Sequence, residues 1–599
     1  MKLLPLAAVA ALFALPSMST GAPLGLDGCL RAQSVYQCSG TVRSWDGVPL
    51  DTTVVLPSAK SRNRPLVTLI HGFGNSKYEY LDPTASAYTG NAFSWAKKGY
   101  VVLTYTARGL WGSCGTPESR LADPSGCARG YIHLADARYE VRDAQTLIGR
   151  LVDEGLVDRA RIGVTGDSYG GGQSLMLAAL RDRVMLPGGR LVRWRSPGGT
   201  PLRIAAAAPV IPWSDLVTAA APNGRVTANG ITSLKRATSP VGVLKSTFVN
   251  GISLAARFAI GPGQPVGEPF VFGRPIGFLA APDDDPDADI TSLINRTGRG
   301  EPYTDPEALS IVSDIARFHS AYYIDPGSKP PPLMLASGFT DDLFPVDEVL
   351  RYANRTRKLY PRSPLSLYLG DFGHQRASND PVERAGLVRR IGSWFDHYLR
   401  KAGKSPANGV TAYVQTCPKE RPSIGPFRAA TFAGLSRRII KSTFPPPRTV
   451  LSAGGDPATG KALDPLAGGG DGCIVTAPQE APGTARYRVR NGGSPITILG
   501  APKLSARIEV TGLKPAEAQI DARLWDVTPD GQSQRLIARG VYRPANGLNS
   551  WELHPAAWRV QAGHGVELEL LGNDAPSYRR SNDSFQATIS SLRVELPTR

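Results

Sequence analysis

Short apolar runs alternate with amphipathic segments through the first two thirds of the chain. Segments 135–154 and 173–181 repeat apolar residues at helical spacing. A hairpin is predicted at 40–56, around a turn formed by Asp46 and Gly47. This alternation predicts an α/β fold with a mainly parallel sheet covered by helices on both faces. The predicted buried strands are 66–70, 100–104, 161–165, 204–209, 333–337 and 365–369.

Two stretches depart from this alternation. Residues 213–329 are rich in Gly, Pro and short helical patterns, which predicts an insertion, or lid, over the carboxyl edge of the sheet. Its acidic run at 283–289 lacks a complete calcium-binding pattern, so we expect a solvated loop there. From residue 403 onward, short alternating runs separated by Gly, Pro and Asn predict a β-sandwich. The expected domains are therefore 23–402 and 403–599.

The first 22 residues have the pattern of a signal peptide. Lys2 precedes an apolar run that ends at Leu15, and small residues follow up to Ala22. The run is too short to span a bilayer, and the sequence has no second long apolar run. We therefore expect a secreted or periplasmic protein that does not associate with a membrane once the signal is removed.

Composition changes this picture little. The 599 residues are 42% hydrophobic and 20% charged, and the formal net charge is +17. A basic chain can attract anionic partners. The arginines are dispersed, however, and no basic run is interleaved with aromatic residues, so we expect no nucleic-acid partner.

Six cysteines occur, and an even number in an exported chain predicts disulfides. Neighbours in sequence form the most natural pairs, although the sequence does not exclude the other pairings. No C-x-x-C or H-x-x-x-H spacing supports a zinc site. The natural pairs are Cys29 with Cys38, Cys114 with Cys127, and Cys417 with Cys473.

The sharpest chemical signal is the segment R-I-G-V-T-G-D-S-Y-G-G-G at 161–172. It places G-x-S-x-G between a predicted strand and a predicted helix, where a serine is held on a tight turn with its hydroxyl exposed. Gly166 and Gly170 leave room for that turn, and the following helix directs its N-terminal amides at a developing oxyanion. We predict Ser168 as a catalytic nucleophile.

A serine hydroxyl needs a base, and in this fold the partners follow in the order Ser, acid, His. The strand at 333–337 leads into G-F-T-D-D-L-F-P, where Asp341 is the expected acid and Asp342 the alternative. The strand at 365–369 leads into D-F-G-H-Q, where His374 is the expected base on a Gly-containing loop able to reach Ser168. Among the other histidines, His133 is the one serious rival.

The first predicted parallel strand leads into H-G-F-G at 71–74. A loop at this position supplies one backbone donor of an oxyanion hole, and the residue after the nucleophile supplies the other. We therefore predict the amides of Phe73 and Tyr169 as these donors, with a simple glycine turn as the alternative. A mechanism of this kind needs no metal and no organic cofactor, and we expect none.

The segment R-G-L-W-G-S-C-G at 108–115 resembles the R-G-x-x-x-S-x-G segment of the cocaine-esterase-like and Xaa-Pro dipeptidyl-peptidase-like hydrolases. Two stretches at 522–531 and 538–544, A-R-L-W-D-V-T-P-D-G and A-R-G-V-Y-R-P, resemble their terminal domain. The resemblance covers most of the chain. It implies an α/β-hydrolase domain, a helical lid and a C-terminal jelly roll of the galactose-binding type. It also implies that Ser168, Asp341 and His374 form the triad.

One position departs from the resemblance. Cocaine-esterase-like members carry a Tyr hydroxyl as oxyanion donor just after the first strand, and Phe73 stands in its place. The resemblance implies hydrolysis of a small ester, an amide or an N-terminal Xaa-Pro dipeptide. A dipeptidyl peptidase must bind a free ammonium, for which the lid offers Asp215 and Glu268 among other acids. The opposite hypothesis is an inactive hydrolase fold whose jelly roll binds carbohydrate or polymer. The oligomeric state is left open.

Overall fold

The computed structural model describes residues 22–83, 88–224, 241–261, 263–327, 329–374 and 376–599. The predicted signal peptide lies outside the described residues, apart from Ala22. Within the described ranges, no helix combines the length and the apolar character needed to cross a membrane.

Eleven strands form one mixed sheet at the centre of the first part of the chain, and two short strands form a separate ribbon. All six predicted strands and the predicted hairpin are present. The strands are β1 (Leu30–Ala32), β2 (Val35–Arg43), β3 (Pro49–Leu56), β4 (Arg64–Ile70), β5 (Val101–Tyr105), β6 (Val157–Asp167), β7 (Arg183–Met185), β8 (Leu191–Arg193), β9 (Ala206–Val210), β10 (Leu333–Gly338), β11 (Leu365–Gly370), β12 (Gly409–Val414) and β13 (Ile424–Ala429).

The order of the large sheet is β1-β2-β3-β5-β4-β6-β9-β10-β11-β12-β13. Strands from β5 to β12 pair in parallel, and antiparallel strands flank them at both edges. The parallel strands are almost completely buried, because helices cover both faces. Their carboxyl ends therefore meet at one edge, where β4, β6, β10 and β11 each lead into a predicted site loop.

Ten helices are described in this part of the chain, and two begin away from the predicted positions. The helix predicted at 135–154 begins at Glu140, directly after Tyr139, which has a non-helical φ of −121° and ψ of −85°. The helix predicted at 173–181 begins directly after Ser168, through three glycines that weaken the helical signal. The helices are α1 (Ala92–Lys97), α2 (Pro117–Ala122), α3 (Glu140–Asp153), α4 (Tyr169–Leu180), α5 (Leu216–Ala220), α6 (Ser246–Ala255), α7 (Ile290–Arg299), α8 (Pro306–Phe318), α9 (Val346–Leu359) and α10 (Pro381–Arg400).

Helices α5 to α8 lie between β9 and β10, in the stretch where the lid is predicted. The acidic run of the lid is solvated only in part, since Asp283 and Asp284 are exposed but Asp285 is buried. Asp287 accepts hydrogen bonds from Arg138 Nη1 at 2.8 Å and from the Tyr139 hydroxyl at 2.7 Å. No cluster of potential metal ligands is found in the described parts of the chain.

The C-terminal part is an all-β region of two antiparallel sheets, of seven and four strands, around an apolar core. This architecture confirms the predicted fold class. The elements are β14 (Arg438–Phe444), β15 (Arg448–Leu451), α11 (Pro457–Leu463), β16 (Ala485–Arg490), β17 (Ile496–Gly500), β18 (Lys503–Thr511), β19 (Ile520–Val527), β20 (Gln534–Tyr542), β21 (Gly547–Glu552), β22 (Ala556–Val560), β23 (Gly565–Leu571) and β24 (Gln586–Thr598).

The eleven-stranded sheet continues past residue 403, where the sequence places the domain boundary. β12 pairs in parallel with β11, and β13 pairs antiparallel with β12. A short alternating strand has the same pattern in either sheet, so only its pairing decides which sheet it joins. Disulfides join the cysteines that are neighbours in sequence: Cys29–Cys38, Cys114–Cys127 and Cys417–Cys473. The last of them links the segment between β12 and β13 to the C-terminal part.

Candidate active site

Ser168 lies on a sharp turn between β6 and α4. Its φ of 54° and ψ of −113° are strained for a residue with a side chain, and its N–H donates to the Val210 carbonyl at 3.1 Å. A Cβ on Gly166 or Gly170 would overlap the carbonyl oxygen of Ile70. The glycines are therefore required by close packing, as the motif predicts.

Three side chains from separate strand ends meet in one hydrogen-bonded chain. The Ser168 hydroxyl lies 2.7 Å from His374 Nε2, and His374 Nδ1 lies 2.7 Å from Asp341 Oδ2. The Asp341 side chain is fully buried, whereas 14% of the His374 side chain is exposed. The structure thus brings together the three residues predicted as a triad, in the order that a serine nucleophile requires.

The loop after β10 decides between the two candidate acids. Asp341 Oδ1 accepts the N–H groups of Leu343 at 3.0 Å and Phe344 at 2.8 Å, which leaves Oδ2 for His374. Asp342 instead pairs with Arg376 Nε at 2.7 Å. Burial alone would raise the pKa of Asp342, but positive charges, that of Arg376 foremost, hold this pKa below its ordinary value. Asp341 is the acid that faces the histidine.

The rival histidine lies elsewhere. His133 stacks on Tyr139 with ring centroids 3.9 Å apart, and its Nδ1 lies 3.0 Å from the Tyr131 carbonyl. Neither contact involves Ser168.

The loop after β4 is held by a buried histidine. The Ala107 N–H donates to His71 Nε2 at 2.9 Å, so Nδ1 carries the proton and donates to the Gly72 carbonyl at 2.7 Å. Burial lowers the pKa of His71 to about 4, which keeps it neutral. In a trans peptide the N–H points opposite to the carbonyl, so the Phe73 N–H points away from His71.

Tyr169, the other predicted oxyanion donor, is the first residue of α4. Its N–H is therefore among those without a partner inside the helix. The rings of Phe73 and Tyr169 lie 5.0 Å apart, and both residues line the cavity that contains Ser168.

The segment 108–115, which the sequence marks by its resemblance, supports this loop. Trp111 Nε1 donates to the Gly74 carbonyl at 2.8 Å. Arg108 is fully buried and pairs with Asp143 at 2.6 Å and with Asp46 at 2.7 Å. The segment therefore has a structural role that its pattern alone did not indicate.

Sequence reasoning missed a pair of buried carboxyl groups behind the nucleophile. Glu79 Oε2 accepts the Gly72 N–H and Asn75 Nδ2, each at 2.9 Å, and the Glu79 carboxyl hydrogen-bonds to that of Asp167. Burial first, and the Asp167 charge second, raise the pKa of Glu79 well above its ordinary value. The raised pKa favours the protonated form of Glu79, which can then donate to the Asp167 carboxylate. An acid directly before the nucleophile is the only sequence signal for this pair.

A cavity of about 270 Å³ opens onto Ser168 and His374. Near the serine its wall is aromatic, with Trp213 and Phe344 rings 5.1 Å apart. Helices α5 to α8 supply most of the rest, and no Asp or Glu is found among the described lining residues. The apolar lining from these helices includes Leu216, Val217, Phe248, Val249, Ile252, Ile290, Leu293, Ile294, Ile311, Val312 and Ile315.

The two acids predicted as candidates for ammonium recognition are not at this cavity. Asp215 is buried and accepts the Val217 N–H at 3.1 Å and the Tyr323 hydroxyl at 2.8 Å, so it caps α5. Glu268 is half exposed and lies 3.5 Å from Arg274.

A family model links this geometry to known proteins. The model of the X-Pro dipeptidyl-peptidase (S15 family) matches residues 46–185, which include H-G-F-G, the segment 108–115 and Ser168. The part of the chain that carries Ser168 therefore matches a hydrolase family. The resemblance stated from the sequence is confirmed.

Solved structures match the fold of this hydrolase over nearly its whole length. A CocE/NonD family hydrolase from Staphylococcus aureus has a TM-score of 0.57 at 12% identity, over 94% of each chain. An α-amino acid ester hydrolase has a TM-score of 0.57 at 14% identity, over 99% of this chain and 100% of that one. An aminopeptidase from a marine sediment archaeon, Thaumarchaeota archaeon, has a TM-score of 0.59 at 12% identity, over 99% of both. Such identities show a common fold alone.

Curated relatives match only in part. A UPF0182 protein of Rhodococcus jostii is 32% identical over 140 residues, 22% of this chain and 14% of that protein. A UPF0182 protein of Rhodococcus opacus is 40% identical over 78 residues, 13% of this chain and 8% of that protein. The chain thus spans a small part of the length of these relatives.

Proposed function

We propose that this hydrolase is a serine-type ester hydrolase that works through an acyl-enzyme on Ser168. The observation that carries the proposal is the hydrogen-bonded chain from Ser168 through His374 to Asp341. An inactive binding protein would have no need of this chain, so its completeness favours catalysis.

The mechanism follows from the positions of the groups. His374 Nε2 takes the proton of the Ser168 hydroxyl as the oxygen attacks an acyl carbonyl. Asp341 holds the imidazole in the required tautomer and stabilises the imidazolium. The N–H groups of Phe73 and Tyr169 stabilise the tetrahedral oxyanion. His374 then returns the proton to the leaving alcohol, and water activated by the same histidine releases the acid.

Esters are favoured over Xaa-Pro peptides by the charge of the cavity. A dipeptidyl peptidase has to pair the free ammonium of its substrate, and burying an unpaired charge is costly. The described lining residues supply no carboxylate for this purpose. An ester also requires less leaving-group help than an amide.

Export to an oxidising compartment is part of the proposal. It is supported by the signal-like N-terminus and by three disulfides. Thiol titration of the unfolded, unreduced protein should then detect no free thiol, and two or more thiols would contradict it.

The test is covalent labelling with a fluorophosphonate, followed by assays on p-nitrophenyl esters and on Ala-Pro anilides with free and blocked N-termini. We expect labelling at Ser168, its loss in Ser168→Ala, and hydrolysis of the esters. Ser393→Ala, which removes an exposed hydroxyl on α10, is the matched control and should keep both. A folded, fully active Ser168→Ala protein would refute the proposal. Cleavage of the Ala-Pro anilide with a free N-terminus, without cleavage of the blocked anilide or of the esters, would instead indicate a dipeptidyl peptidase.

A further inference from the structure

We propose that the lid cavity binds the acyl part of the substrate as an extended apolar chain, which makes long-chain acyl esters the preferred substrates. The inference rests on the proposed function and narrows it to one substrate class.

The apolar walls of the cavity are the first reason to expect an apolar acyl chain. Helices α5, α6, α7 and α8 each turn apolar side chains toward a space that is continuous with Ser168. On an ordinary amphipathic helix these side chains would be buried in a core. Here they line an opening, and an apolar ligand that fills it removes their surface from water.

The positions and partners of the polar groups in the cavity are the second reason. Ser168 and His374 lie at one end, where the ester bond must be placed. The one arginine of the lining, Arg296, already donates to the carbonyls of Gly300 and Pro302 and pairs with Asp305. A sugar or a charged acyl group would lose its hydrogen bonds to water there without equivalent replacements.

The apolar outer surface of the lid is the third reason. Between residues 254 and 278 an unusual number of large apolar side chains are exposed, and an exposed apolar surface of this kind marks a contact with an apolar partner. Ile260 is 43% exposed and also lines the cavity, so this surface reaches the cavity itself. A poorly soluble ester can therefore contact the lid before it enters. The exposed residues are Leu254, Phe258, Ile260, Val266, Phe270, Val271, Phe272 and Phe278.

The test is the chain-length profile of the full enzyme on p-nitrophenyl esters from acetate to palmitate. We expect kcat/KM to rise with each added methylene by up to about fourfold until the cavity is filled. A profile that is flat, or that falls from acetate onward, would overturn the inference while ester hydrolysis and labelling of Ser168 still upheld the proposed function. Loss of all ester hydrolysis together with absence of labelling would instead remove the proposed function.

Substitutions in the lining of the cavity test whether the acyl chain binds in the lid. Ile311→Trp on α8 fills part of the cavity, so the ratio of kcat/KM for the dodecanoate to that for the acetate should fall by about tenfold or more. Leu309→Trp lies on the same helix, is 37% exposed and does not line the cavity, so it should keep the ratio. Ile294→Trp on α7 repeats the test if the first variant does not fold. Equal ratios in all folded variants and the wild type would contradict binding of the chain in the lid.

Discussion

The two ends of the cavity are built in different ways. Around Ser168 the backbone is fixed by hydrogen bonds, by positive φ and by glycines that admit no side chain. In the lid the walls are apolar side chains of short helices, which are held by packing. The proposed reaction would therefore depend on backbone geometry that tolerates little change. The proposed substrate choice would depend on side-chain volume, which changes gradually with substitution.

The largest effect should come from the acid of the hydrogen-bonded chain. Asp341→Asn leaves the volume unchanged but favours the wrong tautomer of His374, so kcat should fall by roughly 10³- to 10⁴-fold. Asp342→Asn weakens the pair with Arg376 and should affect thermal stability more than kcat. Steady-state kinetics and thermal unfolding of both variants provide the check. A greater loss of kcat in Asp342→Asn would reassign the acid.

A smaller loss of kcat is expected from substitution of Gly373, which directly precedes His374. A Cβ on Gly373 would lie 2.5 Å from Asp341 Oδ2, so Gly373→Ala must displace the acid or His374. We expect kcat to fall by about 10²-fold, since catalysis is sensitive to displacements of about 1 Å. Gly298→Ala on α7 meets no atom within 4 Å and should leave kcat unchanged. Similar kcat values in the two variants would erase the contrast between the two ends.

Substitution of Glu79, which lies behind the nucleophile, should have a moderate effect on kcat. Glu79→Ala leaves the Gly72 N–H without its acceptor, so the loop that carries Phe73 should shift and kcat should fall by about tenfold. Glu79→Gln can still accept from Gly72 and can donate to Asp167, so it should keep most of the activity. Equal losses in both variants would show that Glu79 does not act by holding the loop.

The same pair gives a pH dependence of stability. Because the pKa of Glu79 is raised in the folded protein, its contribution is complete below the ordinary value of 4.5. It is lost as the pH rises through the raised pKa. Urea unfolding of the wild type and of Glu79→Gln across the acid-to-neutral range should show this loss only in the wild type. Parallel curves would mean that Glu79 has the same pKa in the folded and the unfolded protein, which would contradict the raised pKa.

The smallest effect is expected on the lid surface. Phe272 is 73% exposed, so Phe272→Ser should change the free energy of unfolding by less than about 0.5 kcal/mol. Hydrolysis of an emulsified long-chain ester should fall a few-fold, whereas hydrolysis of dissolved acetate should not. Equal rates on the emulsion would restrict the role of the lid to its inner face.

Much of the site follows from local sequence. G-x-S-x-G fixes the turn at Ser168, and the strand-then-loop pattern locates Asp341 and His374, because each signal lies within one short segment. The pair of Glu79 and Asp167 was missed because its members are distant in sequence. No local pattern reports that two acids are buried against each other.

Periodicity and short motifs were enough to predict the α/β and all-β halves, the buried strands of the first half and the candidate residues Ser168, Asp341 and His374. The tertiary structure alone decided that β12 and β13 extend the hydrolase sheet and that Asp341 rather than Asp342 meets His374. It also decided that four lid helices enclose an apolar cavity without a carboxylate in its described lining. Strand pairing, the direction in which a side chain points and the enclosure of a cavity each involve segments that are far apart in the chain. They arise only when those segments pack together.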